Sequence, residues 1–306
     1  MTDLKPLAVF AEVVNAGSMS SAARRLGMSA SAVSQAIRAL EAAGGVMLLH
    51  RSTRKLALTE AGERYYPHCK RLLEAAQAAA DTLQQMRDQP VGELRVSAPA
   101  GFAQHMAPAF APLLAEAPQL RMRLLLDDAL IDLIDARIDI AVRVGRLPDS
   151  DWVARRLCEL ETRLFASPQY LLRHGTPANP GELASHQWLA QGGDTTELEL
   201  RHGDAHHALK ITARVASNSQ VALQHLCEQG LGIARLARAD VMPSLRQGKL
   251  VSVLPAWKPA ALPVWATTPG RDADPAKTRA ALAALRAYFG ALPGIDPDGT
   301  PEAAGS

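Results

Sequence analysis

Apolar positions in the first 41 residues recur at helical spacing in three short runs. Leu4, Leu7, Ala11 and Val14 mark one helix, stopped near Asn15-Ala16-Gly17. Ala22, Ala23 and Leu26 give a second helix its apolar side. Ser20 is placed to cap it and Gly27 to end it, because glycine tolerates the left-handed conformation that terminates a helix. Ser29 is placed to cap a third, in which Val33, Ile37 and Leu40 fall at i, i+4 and i+7 as one buried stripe. The other side of that helix carries Ser31, Ser34, Gln35 and Arg38, with no carboxylate before Glu41. Hydroxyls, an amide and a guanidinium can enter a major groove without repelling phosphate, and two short helices joined by a tight turn are the geometry that does so.

After a break at Ala42-Ala43-Gly44-Gly45, residues 46–51 and 55–58 read as two short strands around Ser52-Thr53-Arg54, a wing. Its tip carries Arg51, Arg54 and Lys55, with Thr53 among them, and suits backbone phosphates. Residues 59–88 then read as one helix. Tyr65, Cys69, Leu72, Ala76, Ala79, Leu83 and Met86 alternate spacings of four and three, a heptad seam that calls for a partner helix. At 1.5 Å per residue the helix is about 45 Å long, too long for one small domain to bury. Pro67 removes the bond to Glu63 and is expected to kink the early turns. Cys69 in the seam reads as packing.

Gln89-Pro90-Val91-Gly92 is a hinge by composition. Beyond it strand and helix patterns alternate: strands at 94–96, 122–126 and 138–142, helices at 102–114 and 130–136. A second set has strands at 163–166, near 197–200 and 208–212, at 231–236 and at 263–267, with helices at 168–173, 221–228 and 275–289. That is α/β logic with a mostly parallel sheet in each of two lobes. Ligands in such sheets sit beyond strand ends against helix N-termini. The candidates there are Ser97, Ala98, Gly101 and Phe102 after the first strand, Arg143 after another, and Ser167, Asn218 and Ser219 in the second lobe. Hydroxyls and amides at positive helix ends favour a small anion such as a carboxylate, although helix capping accounts equally for the serines and an ion pair for Arg143.

Charge sharpens the division of labour. The whole chain carries only +2, but residues 20–71 hold nine Lys or Arg against three acids, leaving the rest mildly acidic. A basic module on an acidic body suits nucleic acid at one end only. Three cysteines without CxxC spacing give no disulfide framework and fit a reducing cytosol. The N-terminus has no apolar signal run and no stretch approaches the length that spans a bilayer, so a cytoplasmic protein without a membrane partner is expected. No GxSxG, HExxH or GK[ST] loop is present, and Gly230-Leu231-Gly232 lacks the spacing of a dinucleotide fingerprint. His202, His206 and His207 fall in a polar turn between strands, so no metal or other cofactor is expected. Residues 293–306 carry breakers without apolar periodicity and read as a disordered tail.

The run from Leu4 to Gly62 resembles the DNA-binding region of LysR-type transcriptional regulators. The matching residues are Phe10, Gly17, Ser18, Ala22, Ala23, Leu26, Ser29, Ala32, Val33, Ser34, Ile37, Leu40, Glu41, Gly45, Leu48, Arg51, Arg54, Leu58, Thr59, Ala61 and Gly62. Gly44 stands where that family usually has leucine, and Ala30, Ser31 and Gln35 replace frequent Gln, Pro and Arg. The resemblance implies a winged helix-turn-helix over 1–62 and a linker and dimerisation helix over 63–89. It also implies a two-lobed effector domain over 90–292 that resembles periplasmic binding proteins, with lobe I at 90–161 and 268–292 and lobe II at 162–267. The implied partners are an interrupted inverted repeat in double-stranded DNA, a small effector, RNA polymerase, and further copies as a homodimer or homotetramer with antiparallel linker helices. Two other readings stay open on the residues: a thiol sensor built on Cys158 and Cys227, and a solute-binding or enzymatic α/β module.

Overall fold

Phe10 has no exposed surface, and the N-terminal helices close around it. It lies on α1 (Lys5–Ala16), which Gly17 ends at φ 69°. α2 (Met19–Arg25) and α3 (Ala30–Gly44) follow. Val9, Phe10 and Val13 meet Ala22, Ala23, Val33 and Ile37 in one apolar cluster. The cap of α2 differs from expectation: Ser18 accepts from the Ser21 amide at 3.1 Å, and Ser20 already lies inside the helix. Ser29 caps α3, accepting from Ala32 at 3.1 Å.

The computed structural model describes residues 3–50, 56–128, 133, 135–147, 151–269 and 274–292. The chain forms two compact units, residues 1–85 and 86–306. In the first, the expected wing strands reduce, among the described residues, to one antiparallel bridge between Leu49 and Leu58. Residues 46–48 are not a strand. Backbone bonds from Val46 to the Glu41 carbonyl at 3.2 Å and from Thr59 to the Leu48 carbonyl at 3.0 Å hold them, together with side chains. α4 (Glu60–Asp88) runs on as one helix with Pro67 inside it, although Pro67 has no N–H to give the Glu63 carbonyl. The heptad seam divides. Tyr65 and Cys69 pack into the Phe10 cluster, the Tyr65 ring 5.9 Å from that of Phe10. Leu83 and Met86 stay 71% and 43% exposed. The early seam is therefore covered by its own domain, and only the late seam is open to a partner.

The second unit runs β1 (Gly92–Ala98), a 3-10 turn (Ala100–Phe102), α5 (Ala103–Glu116), β2 (Leu120–Leu126), β3 (Ile140–Val144) and β4 (Val153–Leu160). Then come β5 (Thr162–Ala166), α6 (Pro168–His174), β6 (Trp188–Gln191), β7 (Thr195–His202), β8 (Ala205–Thr212), β9 (Val215–Ser217) and α7 (Gln220–Glu228). Next are β10 (Ile233–Ala237), α8 (Arg238–Arg246), β11 (Val251–Val253), β12 (Lys258–Pro259), β13 (Leu262–Thr268) and α9 (Ala276–Gly290). Lobe I is a sheet of order β2-β1-β3-β13-β4, and lobe II one of order β11-β5-β10-β6-β9. A third sheet, β12-β7-β8, flanks lobe II.

Both main sheets are mixed rather than mostly parallel. β13 runs antiparallel to β3 and β4, and β10 antiparallel to β5; β5 and β13 are the strands the chain enters after its two crossings between the lobes. β4, β6, β9, β11, β12 and α8 carry no clean period in the sequence. β4 is opposite a register shift at Val264/Trp265, and α8 contains Pro243. Of the helix expected at 130–136, positions 133, 135 and 136 are turns and the rest lies outside the described residues, as does the tail 293–306.

Candidate DNA-reading face and ligand cavity

α3 owes its orientation to Val33 and Ile37, which are 0% and 3% exposed against α1 and α2. That burial turns Ser31, Gln35 and Arg38 outward, with Ser34 half-buried beside them. Ser31 Oγ lies 2.9 Å from Ser29 Oγ, so the two hydroxyls share a hydrogen bond at the start of the helix. Arg38 has no carboxylate partner among the described residues, whereas Arg25 is paired with Glu12 at 3.0 Å. Arg51, Thr53, Arg54 and Lys55 lie outside the described residues.

Glu41 is not on the outward face. It is 9% exposed, and its Oε1 accepts from the amides of Leu48 and Leu49 at 2.8 and 3.1 Å. From the other side Thr59 Oγ1 donates to the Met47 carbonyl at 2.6 Å and accepts from Gly62 at 3.0 Å. A Cβ on Gly62 would stand 2.1 Å from the Leu48 carbonyl oxygen, so only glycine fits there. The root of the wing is thus fastened to the reading helix and to the start of α4, in addition to the backbone bonds Thr59 N to Leu48 O at 3.0 Å and His50 N to Ala57 O at 2.9 Å that flank the bridge.

Between lobes I and II lies a cavity of about 300 Å³, at the small end of ligand sites. Phe102, Leu160, Trp188, Leu198, Ile211 and Leu262 give it apolar walls. Thr162, Gln191, Gln220 and Arg235 supply polar groups, and Asp128, Glu197 and Asp240 supply carboxylates. Arg235 Nε donates to Thr162 Oγ1 at 3.0 Å and Nη2 to the Ala260 carbonyl at 2.6 Å. No carboxylate pairs with it among the described residues, and burial pulls its pKa below the ordinary guanidinium value. Asp240 meets His105 Nε2 at 2.8 Å, and His105 Nδ1 lies 3.0 Å from the Tyr288 hydroxyl, a buried link from lobe II to two lobe I helices.

Of the eight positions expected at a ligand, Gly101 and Phe102 line this cavity. Ser97 is buried on β1 with no partner for its hydroxyl among the described residues, and Ala98 is core. Arg143 is half-buried on β3, its guanidinium pKa lowered by burial, and makes no ion pair among the described residues. Ser167 and Ser219 cap α6 and α7, accepting from Tyr170 and Ala222 at 3.1 and 3.5 Å. Asn218 is exposed, and its backbone carbonyl takes Gln191 Nε2 at 3.4 Å. The positive end of the first lobe I helix is already occupied: Asp128 Oδ1 accepts from the Ala100 amide at 3.0 Å. Sequence reasoning looked to helix ends and so passed over Thr162 and Arg235, which stand in strands. The available signal was Arg235 itself, a lone cation in the apolar run Ile233-Ala234-Arg235-Leu236.

Cys158 and Cys227 are fully buried in the separate cores of lobes I and II, and burial pushes each thiol up to about 12. Thiols so held are not the low-pKa, exposed kind that react with peroxide. His202, His206 and His207 lie on the β7–β8 hairpin, and no cluster of three or more metal-ligating side chains occurs among the described residues. No helix among the described residues is long and apolar enough to cross a membrane.

A helix-turn-helix with an open polar face, followed by a bilobed α/β unit around a ligand-sized cavity, defines a ligand-responsive transcription regulator. Residues 4–63 match the bacterial regulatory helix-turn-helix protein, lysR family, and residues 87–290 the LysR substrate binding domain. The chain belongs to the LysR family of transcriptional regulators. It is similar to the HTH-type transcriptional activator AaeR of Escherichia coli, 35% identical over 292 residues and 94% of each chain. It is 37% identical over 256 residues to the regulator CrgA of Neisseria meningitidis, covering 83% of this chain and 85% of that one. The full-length structure of the Vibrio cholerae virulence activator AphB has a TM-score of 0.68 at 29% identity, covering 94% of this chain and 100% of that one.

Proposed function

We propose that this chain binds an interrupted inverted repeat as a homodimer or homotetramer and that a small carboxylate held between its lobes controls promoter output. Ser31, Ser34, Gln35 and Arg38 enter the major groove. Arg51, Thr53, Arg54 and Lys55 hold the flanking backbone or minor groove. Two copies of α4, joined antiparallel along the late seam at Leu83 and Met86, set the half-site spacing. The observation that carries the reading is the face of α3: three outward polar side chains with no acid among them, on a helix whose other side is core. Ligand closure of the cleft changes the bend of the DNA or the access of RNA polymerase.

Gel shifts with duplexes from upstream of its own gene test this. Arg38→Ala combined with Arg54→Ala is expected to abolish the shift while the melting curve of the protein is retained. Undiminished binding by that double variant overturns the placement of the interface.

For the ligand, Arg235 supports a carboxylate: a half-buried guanidinium, pre-aimed by Thr162 and Ala260, with no acid among the described residues to neutralise it.

A further inference from the structure

We propose that the effector is bipolar: an amino-acid-like molecule whose carboxylate meets Arg235 and whose ammonium group meets Asp128 and Gln220, with an apolar body between them. The inference rests on the carboxylate reading above and adds the second charge. Its ground is a mismatch within the cavity lining. Among the described residues Arg235 lacks an acceptor of opposite charge, while the rest of the polar lining has acceptors in excess.

Gln220 shows the excess at one atom. Its Nε2 donates to Gln191 Oε1 at 2.6 Å, and Gln191 Nε2 donates in turn to the Asn218 carbonyl at 3.4 Å. That carbonyl can only accept, so it fixes the direction of the relay. Turning the Gln220 amide round would set oxygen against oxygen. Gln220 Oε1 is left shielded from solvent, without a donor among the described residues. An acceptor stranded in this way costs free energy until a donor arrives.

Asp128 belongs to the same region. It is tied to Ala100 at 3.0 Å, and a Cβ on the adjacent Gly101 would lie 3.6 Å from Val221, the neighbour of Gln220 on α7. The lobes therefore meet where both acceptors stand. Asp240 is engaged by His105 at 2.8 Å, so that carboxylate already has a partner within the protein. Glu197 lies exposed and adds a third negative group to the lining. A plain carboxylate would satisfy Arg235 and be repelled by Asp128 and Glu197. A plain amine would do the reverse. A zwitterion answers both, and the six apolar side chains of the walls take its body.

Titration calorimetry on the full-length protein tests this with two matched sets: phenylalanine, hydrocinnamate and phenethylamine, then leucine, isocaproate and isoamylamine. In at least one set the amino acid is expected to bind about tenfold or more tighter than either single-charge analogue, since each charge-assisted contact is worth about that much. Arg235→Gln should bring the amino acid down to the level of the amine. Asp128→Asn, which keeps an acceptor for Ala100, should weaken the amino acid and strengthen the carboxylate, so that the two converge, and Gln220→Leu should weaken the amino acid more than the carboxylate. Carboxylates that equal or exceed their amino acids overturn the second charge and leave the carboxylate reading standing. Binding by amines alone, or by no member of either set, overturns both.

Discussion

Glu41 performs a task that its charge alone does not reveal. One carboxylate oxygen accepts from two consecutive amides in a site with 9% exposure. Glu41→Ala strands both donors, and at about 1–3 kcal/mol each the DNA-binding unit should lose about 2–4 kcal/mol. Hydrogen exchange will read this directly, with the Leu48 and Leu49 amides losing protection first. Glu161 makes a second residue-scale prediction. Burial would raise its pKa, but bonds from Arg238 and Arg163 outweigh burial and hold it below the usual 4.5. The folded state therefore releases this proton more readily than the unfolded one. Its stabilising contribution is present above about pH 4.5 and lost as pH falls through the lower folded value. Glu161→Gln should flatten the acid limb of a melting-temperature profile; an unchanged limb would place acid sensitivity elsewhere. Residue roles were legible where one local pattern sufficed, as for Ser29 and the outward face of α3. Glu41 was misplaced because its partners lie seven and eight residues away, beyond any helical period.

At the scale of elements, α4 shows what periodicity can and cannot say. The heptad spacing marked a stripe but was silent on which surface covers each half. Tyr65 and Cys69 turned out to serve their own domain, while Leu83 and Met86 remain open. Leu83→Lys with Met86→Lys should convert the assembly to single subunits in sedimentation velocity and leave helicity unchanged, since both positions are solvent-exposed. A dimer that survives this change would exclude the late seam as the joint. The glycine pair near 230 teaches a similar lesson. The sequence marks both residues, but only the packing separates their reasons: Gly230 needs φ 77°, and a Cβ on Gly232 would lie 2.6 Å from the Gln187 carbonyl. β4 and α8 escaped notice because a register shift and an internal proline blur their periods.

For the whole molecule, the uneven spread of charge is the property most readily read from sequence, and it makes a quantitative forecast. Operator affinity should fall steeply with salt, and Arg54→Ala in a dimer should reduce the slope of log affinity against log salt by about two, one counterion per subunit. Fluorescence anisotropy across a salt series measures it. The two thiols with pKa near 12 add a further expectation: native protein at neutral pH should resist iodoacetamide at Cys158 and Cys227, and unfolded protein should not. The bilobed plan was legible from alternating strand and helix patterns. The cavity was less so, because its polar lining converges from strands and helix starts far apart in sequence. One consequence concerns how such a regulator diverges. Since Glu41 joins the wing root to the reading helix at two amides, a descendant that acquires a new operator cannot re-aim one against the other without stranding those donors. It must repaint the side chains on a fixed frame, so paralogues should differ at Ser31, Gln35 and Arg38 long before they differ at Glu41.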